Sequence, residues 1–164
     1  MTETMTETIV KSLYSTDFFL WTQATVIHLK NEDFSQLDIK NLIEEVESLG
    51  KSEKKELKSR LTVLLEHLLK RIYVNRPDCY NGWENTISAQ RTELELLFID
   101  SPSLKSLWEE AFHITYPLAL RNVRKSYKNN SFPDDWPYED DIDAILNADF
   151  WQQPEIPSKS VIHG

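Results

Sequence analysis

The stretch Ser59–Tyr73 reads SRLTVLLEHLLKRIY. At about 100° per residue, Leu57 just upstream joins Leu61, Leu64, Leu65, Leu68 and Ile72 on one face about 100° wide. That is the pattern of a helix packed on a core, and nothing in the stretch alternates with the two-residue period of a strand. Arg60, His67 and Arg71 share one flank of this helix rather than its apolar centre. Arg60 and His67 are two turns apart, roughly 10 Å along the axis.

Working outward, the same periodicity recurs. STDFFLWTQATVIHLKN, residues 15–31, predicts a helix capped by Ser15 or Thr16. A second helix starts at Asp38, whose carboxylate can cap the free amides of the first turn, with a stripe of Ile39, Leu42, Ile43, Val46 and Leu49. Gly50 either ends it, with a restart at Ser52, or lies in a continuous bent helix. NRPDCYNGW reads as a loop broken by Pro77 and Gly82. A fourth helix then runs from Asn81 or Gly82 to Ile99, placing Trp83, Ile87, Leu94, Leu97 and Phe98 inward. DSPS predicts a new start, with Ser101 as cap and Pro102 at the first helical position. The fifth helix runs toward Lys128 and carries Pro117, which is expected to kink or split it. Residues 129–157 hold eight carboxylates and no Lys or Arg. One short helix near Glu139–Asn147 is expected there, with Trp136, Phe150 and Trp151 anchoring the segment. Its acids are expected to fold back over the basic end formed by Arg121, Arg124, Lys125 and Lys128.

These readings give an all-α, up-and-down bundle of four to five main helices with a short acidic aromatic C-terminal cap. Residues 1–13 are expected to be a disordered tail, 14–152 a single domain, and 153–164 a flexible tail. The length of 164 residues suits one core, and three glycines argue against a turn-rich β fold. MTETMTET has neither a basic patch nor an apolar stretch, so it does not read as a leader. Apolar runs such as Phe18–Trp21 are far too short for a membrane span. The single cysteine, Cys79, suits a reducing cytoplasm. A net charge of −9 disfavours nucleic-acid binding. Charge is segregated, however: residues 31–49 carry six acids against one Lys, and residues 51–76 carry eight Lys/Arg against three Glu.

The motifs DFFLWT, NLIEEVESLGKSEKKELKSRL, LLEHLLK, GWENTISAQR and DSPSLK, in this order, resemble the family called domain of unknown function 29. The resemblance covers residues 14–152. It implies an all-helical bacterial protein, often cyanobacterial, in a cytoplasmic setting, and it brings no activity, cofactor or catalytic residue with it. Arg71 departs from the family pattern, which often has an aromatic residue there.

Four constellations could carry function. Arg60 and His67 have the Arg-x6-His spacing of small helical ribonucleases, as in toxin–antitoxin pairs. There His67 would move the ribose hydroxyl proton and Arg60 would steady the phosphate, without a metal. The structural alternative pairs Arg60 with a carboxylate such as Glu45, and His67 with a polar group on a neighbouring helix. His28, His67 and His113 form a second, weaker set as metal ligands, although no Glu-x-x-His or His-x3-His pair supports it. Third, Glu45, His67, Gln90 and Arg91 could form a polar network or ligand site, since an inward Gln90 needs partners. The acidic aromatic tail is the fourth, and its aromatics favour docking on its own core. The preferred expectation is a non-enzymatic interaction or regulatory protein with no cofactor and no membrane association. It would bind another protein, or itself, through a helix face. RNA cleavage is the first alternative and a metal-dependent bundle enzyme the second.

Overall fold

A computed structural model of the protein describes residues 5–155. Six α-helices follow one another: α1 Met5–Thr16, α2 Phe18–Lys30, α3 Ile39–Tyr73, α4 Pro77–Asp100, α5 Trp108–Ser126 and α6 Ile142–Asn147. Short 3-10 turns occupy Phe34–Gln36, Pro102–Leu107 and Phe150–Gln152, and no strand occurs among the described residues. The fold is an all-α bundle. The chain divides into two compact units, one ending at Glu53 and one beginning at Lys54. The division falls inside α3, where the expectation of a single domain over 14–152 placed none.

In the first unit, residues 5–13, expected as part of a disordered tail, belong to helix α1. Val10 is buried, and with Leu13 and Tyr14 it repeats at helical spacing; residues 1–4 lie outside the described residues. Asp17, rather than Ser15 or Thr16, caps α2, accepting the Leu20 amide at 3.0 Å. Helix α2 ends with Glu32 in the left-handed region at φ 58°. The Asp33 amide then reaches back to the His28 carbonyl, and the Glu32 amide to that of Leu29. This satisfies the last carbonyls of the helix without a glycine, at the steric cost that left-handed backbone imposes on a side chain. Tyr14 sits edge-on to Trp21, and Phe18 stacks on Trp21. Asp38 caps α3 as expected, accepting from the Asn41 amide at 3.4 Å and from its side chain at 2.6 Å.

Helix α3 runs for 35 residues, about 52 Å at 1.5 Å per residue. Gly50 neither stops it nor adopts a positive φ, which resolves the choice the sequence left open in favour of continuity.

In the second unit, Leu57, Leu61, Leu64, Leu65, Leu68 and Leu69 of α3 are at most 1 % exposed. They share one core with Trp83, Ile87 and Leu94 of α4 and Phe112, Ala119 and Val123 of α5. Ile72, expected in the same stripe, only borders that core. Pro77 begins α4 instead of breaking the chain. At the first helical position its missing amide hydrogen costs nothing, so α4 starts several residues before the expected boundary. Ser101 and Pro102 open a 3-10 turn rather than α5, and the Ser101 side chain makes no cap bond. Helix α5 continues through Pro117 instead of splitting there. Pro117 and His113, whose carbonyl loses its partner, are both exposed, so solvent can satisfy that carbonyl.

The acidic aromatic segment is docked. Phe132, Tyr138, Ile145, Leu146 and Phe150 belong to the core, with Trp136 and Trp151 packed against it. Arg124 holds the segment through the Phe132 carbonyl at 3.0 Å and Asp134 at 2.7 Å. Tyr116 donates to the Pro133 carbonyl, and the Trp108 indole to that of Asp140. Glu155 accepts from Tyr73 at 2.6 Å. Residues 156–164, most of the expected flexible tail, lie outside the described residues.

Candidate functional site

Arg60 and His67 sit on one helix but are engaged separately. Arg60 lies 3.2 Å from Glu56 and 3.4 Å from Glu93 of α4. The carboxylate named beforehand, Glu45, instead accepts from Tyr14 at 2.6 Å, which pushes the phenol up to about 12. The i−4 geometry of Glu56 wins because it needs no second segment. His67 Nδ1 donates to the Val63 carbonyl at 2.8 Å, leaving Nε2 to accept from the Lys70 ammonium at 3.3 Å. Both partners lie on α3, so the expected partner on a neighbouring helix is replaced by a local one. Burial holds the imidazole below its usual pKa, with the nearby Lys70 charge acting in the same direction. Lys70 is itself lowered by burial. A neutral imidazole with both nitrogens occupied is a packing element in this state, and Arg60 meets two carboxylates where a phosphate would have to go.

The three histidines do not assemble. His113 is exposed and His28 half-buried with Nδ1 unpartnered. Among the described residues no group of three or more His, Cys, Asp or Glu is placed to hold a metal ion. Nor do Glu45, His67, Gln90 and Arg91 form one network. Gln90 Oε1 is buried without a hydrogen-bond partner. Arg91 donates from Nε to the Ile145 carbonyl at 2.9 Å and from Nη2 to that of Ala148 at 2.6 Å. Burial lowers its pKa.

Arg91 does line a groove of about 560 Å³ together with Arg71, Glu84, Glu95, Asp149 and Trp151. Arg71, expected on the flank with Arg60 and His67 and noted as a departure from the family pattern, is the most constrained cation there. It pairs with Glu84 at 2.7 Å and lies 3.8 Å from the Tyr80 ring centre and 4.9 Å from that of Trp151. Its charge is thus met by a carboxylate and two π faces, and three acids share the groove with two arginines. This arrangement fastens the C-terminal segment to α4.

The first unit offers a different surface. Among the described residues, thirteen of the seventeen exposed large apolar side chains lie at or before Leu49, against only three of the twenty-six buried ones. Phe19, Phe34, Ile43, Val46 and Leu49 are each more than half exposed. Of the four buried side-chain polar atoms without a hydrogen-bond partner among the described residues, three are here: Trp21 Nε1, His28 Nδ1 and Glu53 Oε2. Sequence reasoning saw the α3 part of this stripe and took it for core, because its spacing is that of the residues that follow.

No helix among the described residues is long and apolar enough to cross a membrane. No curated protein and no solved structure matches the chain. Residues 13–151 match a family described as "Domain of unknown function DUF29", and with nearly the whole chain covered, the protein belongs to that family.

Proposed function

We propose that the protein is a non-enzymatic interaction module whose first unit presents an apolar helix face to another polypeptide. The observation that carries this is the exposed row Ile39, Ile43, Val46 and Leu49 on α3, each at least half exposed. Apolar side chains at core spacing left in water mark a surface that functions when covered. A lipid surface fits poorly. Residues 17–53 carry eight acids against three lysines, and anionic headgroups attract basic helices, not acidic ones. A cytoplasmic setting is consistent with the single cysteine. The engaged state of Arg60 and His67 supports this reading over RNA cleavage.

The test uses the full chain and the double variant Ile43→Asp with Val46→Asp. The parent protein should either sediment above monomer mass or bind an apolar fluorescent dye, and the variant should lose that property while keeping its helical dichroism. A variant indistinguishable from the parent in both assays would overturn the reading. So would metal-free RNA cleavage by the parent that disappears in His67→Ala.

A further inference from the structure

Lys70 is a half-buried ammonium with no counter-ion. It lies in the last turn of α3, where free carbonyls ordinarily hold a cation, yet its Nζ reaches back to His67 Nε2 at 3.3 Å. No carboxylate pairs with it among the described residues. Glu66, close enough to act on its charge, accepts instead from Asn122 of α5 at 2.6 Å. On α4, Asp78 is held by Arg76 and Glu84 by Arg71. The Trp83 ring centre is 5.9 Å from Nζ, at the outer limit of a useful cation–π contact.

An ammonium so placed gives up its proton more readily than one in water. Burial lowers its pKa, against weaker upward pulls from Glu66 and from Cys79 of α4. The free amine that results is a nucleophile. His67 supplies the receiving group. Its Nδ1 hydrogen is committed to the Val63 carbonyl at 2.8 Å, so Nε2 meets Lys70 with a lone pair. Lys51, Lys54, Lys55 and Lys58, on the same helix, are exposed and have no imidazole partner among the described residues.

We infer that Lys70 is a covalent capture site for small aldehydes, forming an imine at Nζ with His67 Nε2 as the proton relay. Nζ attacks the carbonyl carbon, and a proton passes from nitrogen to Nε2 and on to the oxygen, giving a carbinolamine. The hydroxyl leaves with a second proton as water while the nitrogen lone pair closes the C=N bond. The remaining N–H proton is then released. Amine plus aldehyde yields imine plus water, with no change of oxidation state. An acyl donor would need a proton removed only. Imine formation needs one removed and one delivered, which a single imidazole can do near neutral pH. Lys70, His67 and Trp83 all belong to the second unit, so this site is independent of the apolar face of the first.

The experiment treats the full chain at neutral pH with limiting propionaldehyde and cyanoborohydride, which reduces the imine to a stable secondary amine. Peptide mass spectrometry then gives the rate at each lysine. Lys70 should be alkylated several-fold faster than Lys51, Lys54, Lys55 and Lys58, the internal references. In His67→Gln the Lys70 rate should fall to that of the references, with their rates and the helical dichroism unchanged. In the parent unfolded by urea the preference should vanish. A Lys70 alkylated no faster than the references overturns the inference. So does a folded His67→Gln variant whose Lys70 reacts like the parent's, because burial alone would then account for the rate. A preference that survives in urea overturns it as well, being a property of the local sequence and not of the site.

Discussion

The two halves of α3 have the same apolar spacing and opposite fates. From Leu57 to Leu69 the stripe is at most 1 % exposed, while from Ile39 to Leu49 its members Ile39, Ile43, Val46 and Leu49 are at least half exposed. Leu42, between them, is intermediate. Periodicity therefore specifies which side of a helix is to be covered, not what covers it. In the second unit the cover comes from α4, α5 and the C-terminal segment of the same chain. Among its described residues the first unit has three buried large apolar side chains, Val10, Trp21 and Leu37. So small a core does little to offset the entropy of ordering some fifty residues, so a unit built this way gains most from an external cover.

The contrast can be broken at its strong end first. Leu64→Ala or Leu68→Ala, both 0 % exposed, should cost about 2–5 kcal/mol in urea unfolding, the range for buried large-to-small changes. A loss under about 0.5 kcal/mol at both sites would mean that the second half of the helix is no core at all.

His67 should give an intermediate effect with a definite sign in pH. Its folded pKa is lowered from 6.5 by burial, so the unfolded chain binds the proton more readily. The stability linked to the neutral ring is whole above the unfolded value and is lost as pH falls through the lower folded one. Unfolding midpoints of the parent should therefore drop below pH 6.5 more steeply than those of His67→Gln. Parallel curves for the two proteins would show that the ring is protonated in the folded state.

The smallest effect should come from Val46→Ala, 60 % exposed in the parent. At concentrations dilute enough to separate any copies, it should shift stability by no more than about 0.5 kcal/mol. A core-sized loss at high dilution would place Val46 against its own chain and erase the contrast.

What could be read from the residues follows the same line. The inward set of α4, the Asp38 cap and the docking of the aromatic segment were all legible, because each depends on local chemistry or on a single strong anchor. The start of α4 was not: Pro77 was read as a breaker, although the first turn of a helix is where its lost donor is harmless. Helix α1 was hidden by polar composition, with only Val10, Leu13 and Tyr14 to mark its inner side. Arg60 does meet carboxylates, but which ones depends on Glu93 arriving from α4 and on Glu56 one turn away on its own helix. His67 finds its partner on its own helix, where the Val63 carbonyl one turn back shares itself with Nδ1.

The contact between Arg91 and α6 bears on how the molecule opens. A helix of six residues has no standing of its own, since isolated helices of that length do not persist in water. Its terminal carbonyls, Ile145 and Ala148, are held by a guanidinium that belongs to α4, and its inner side chains, Ile145 and Leu146, are part of the common core. Local fraying would strand a half-buried cation, so α6 has no low-energy opening of its own. Its amide hydrogens should exchange with deuterium only as fast as those of α4, making six residues near the end of the chain a clock for the unfolding of the whole second unit.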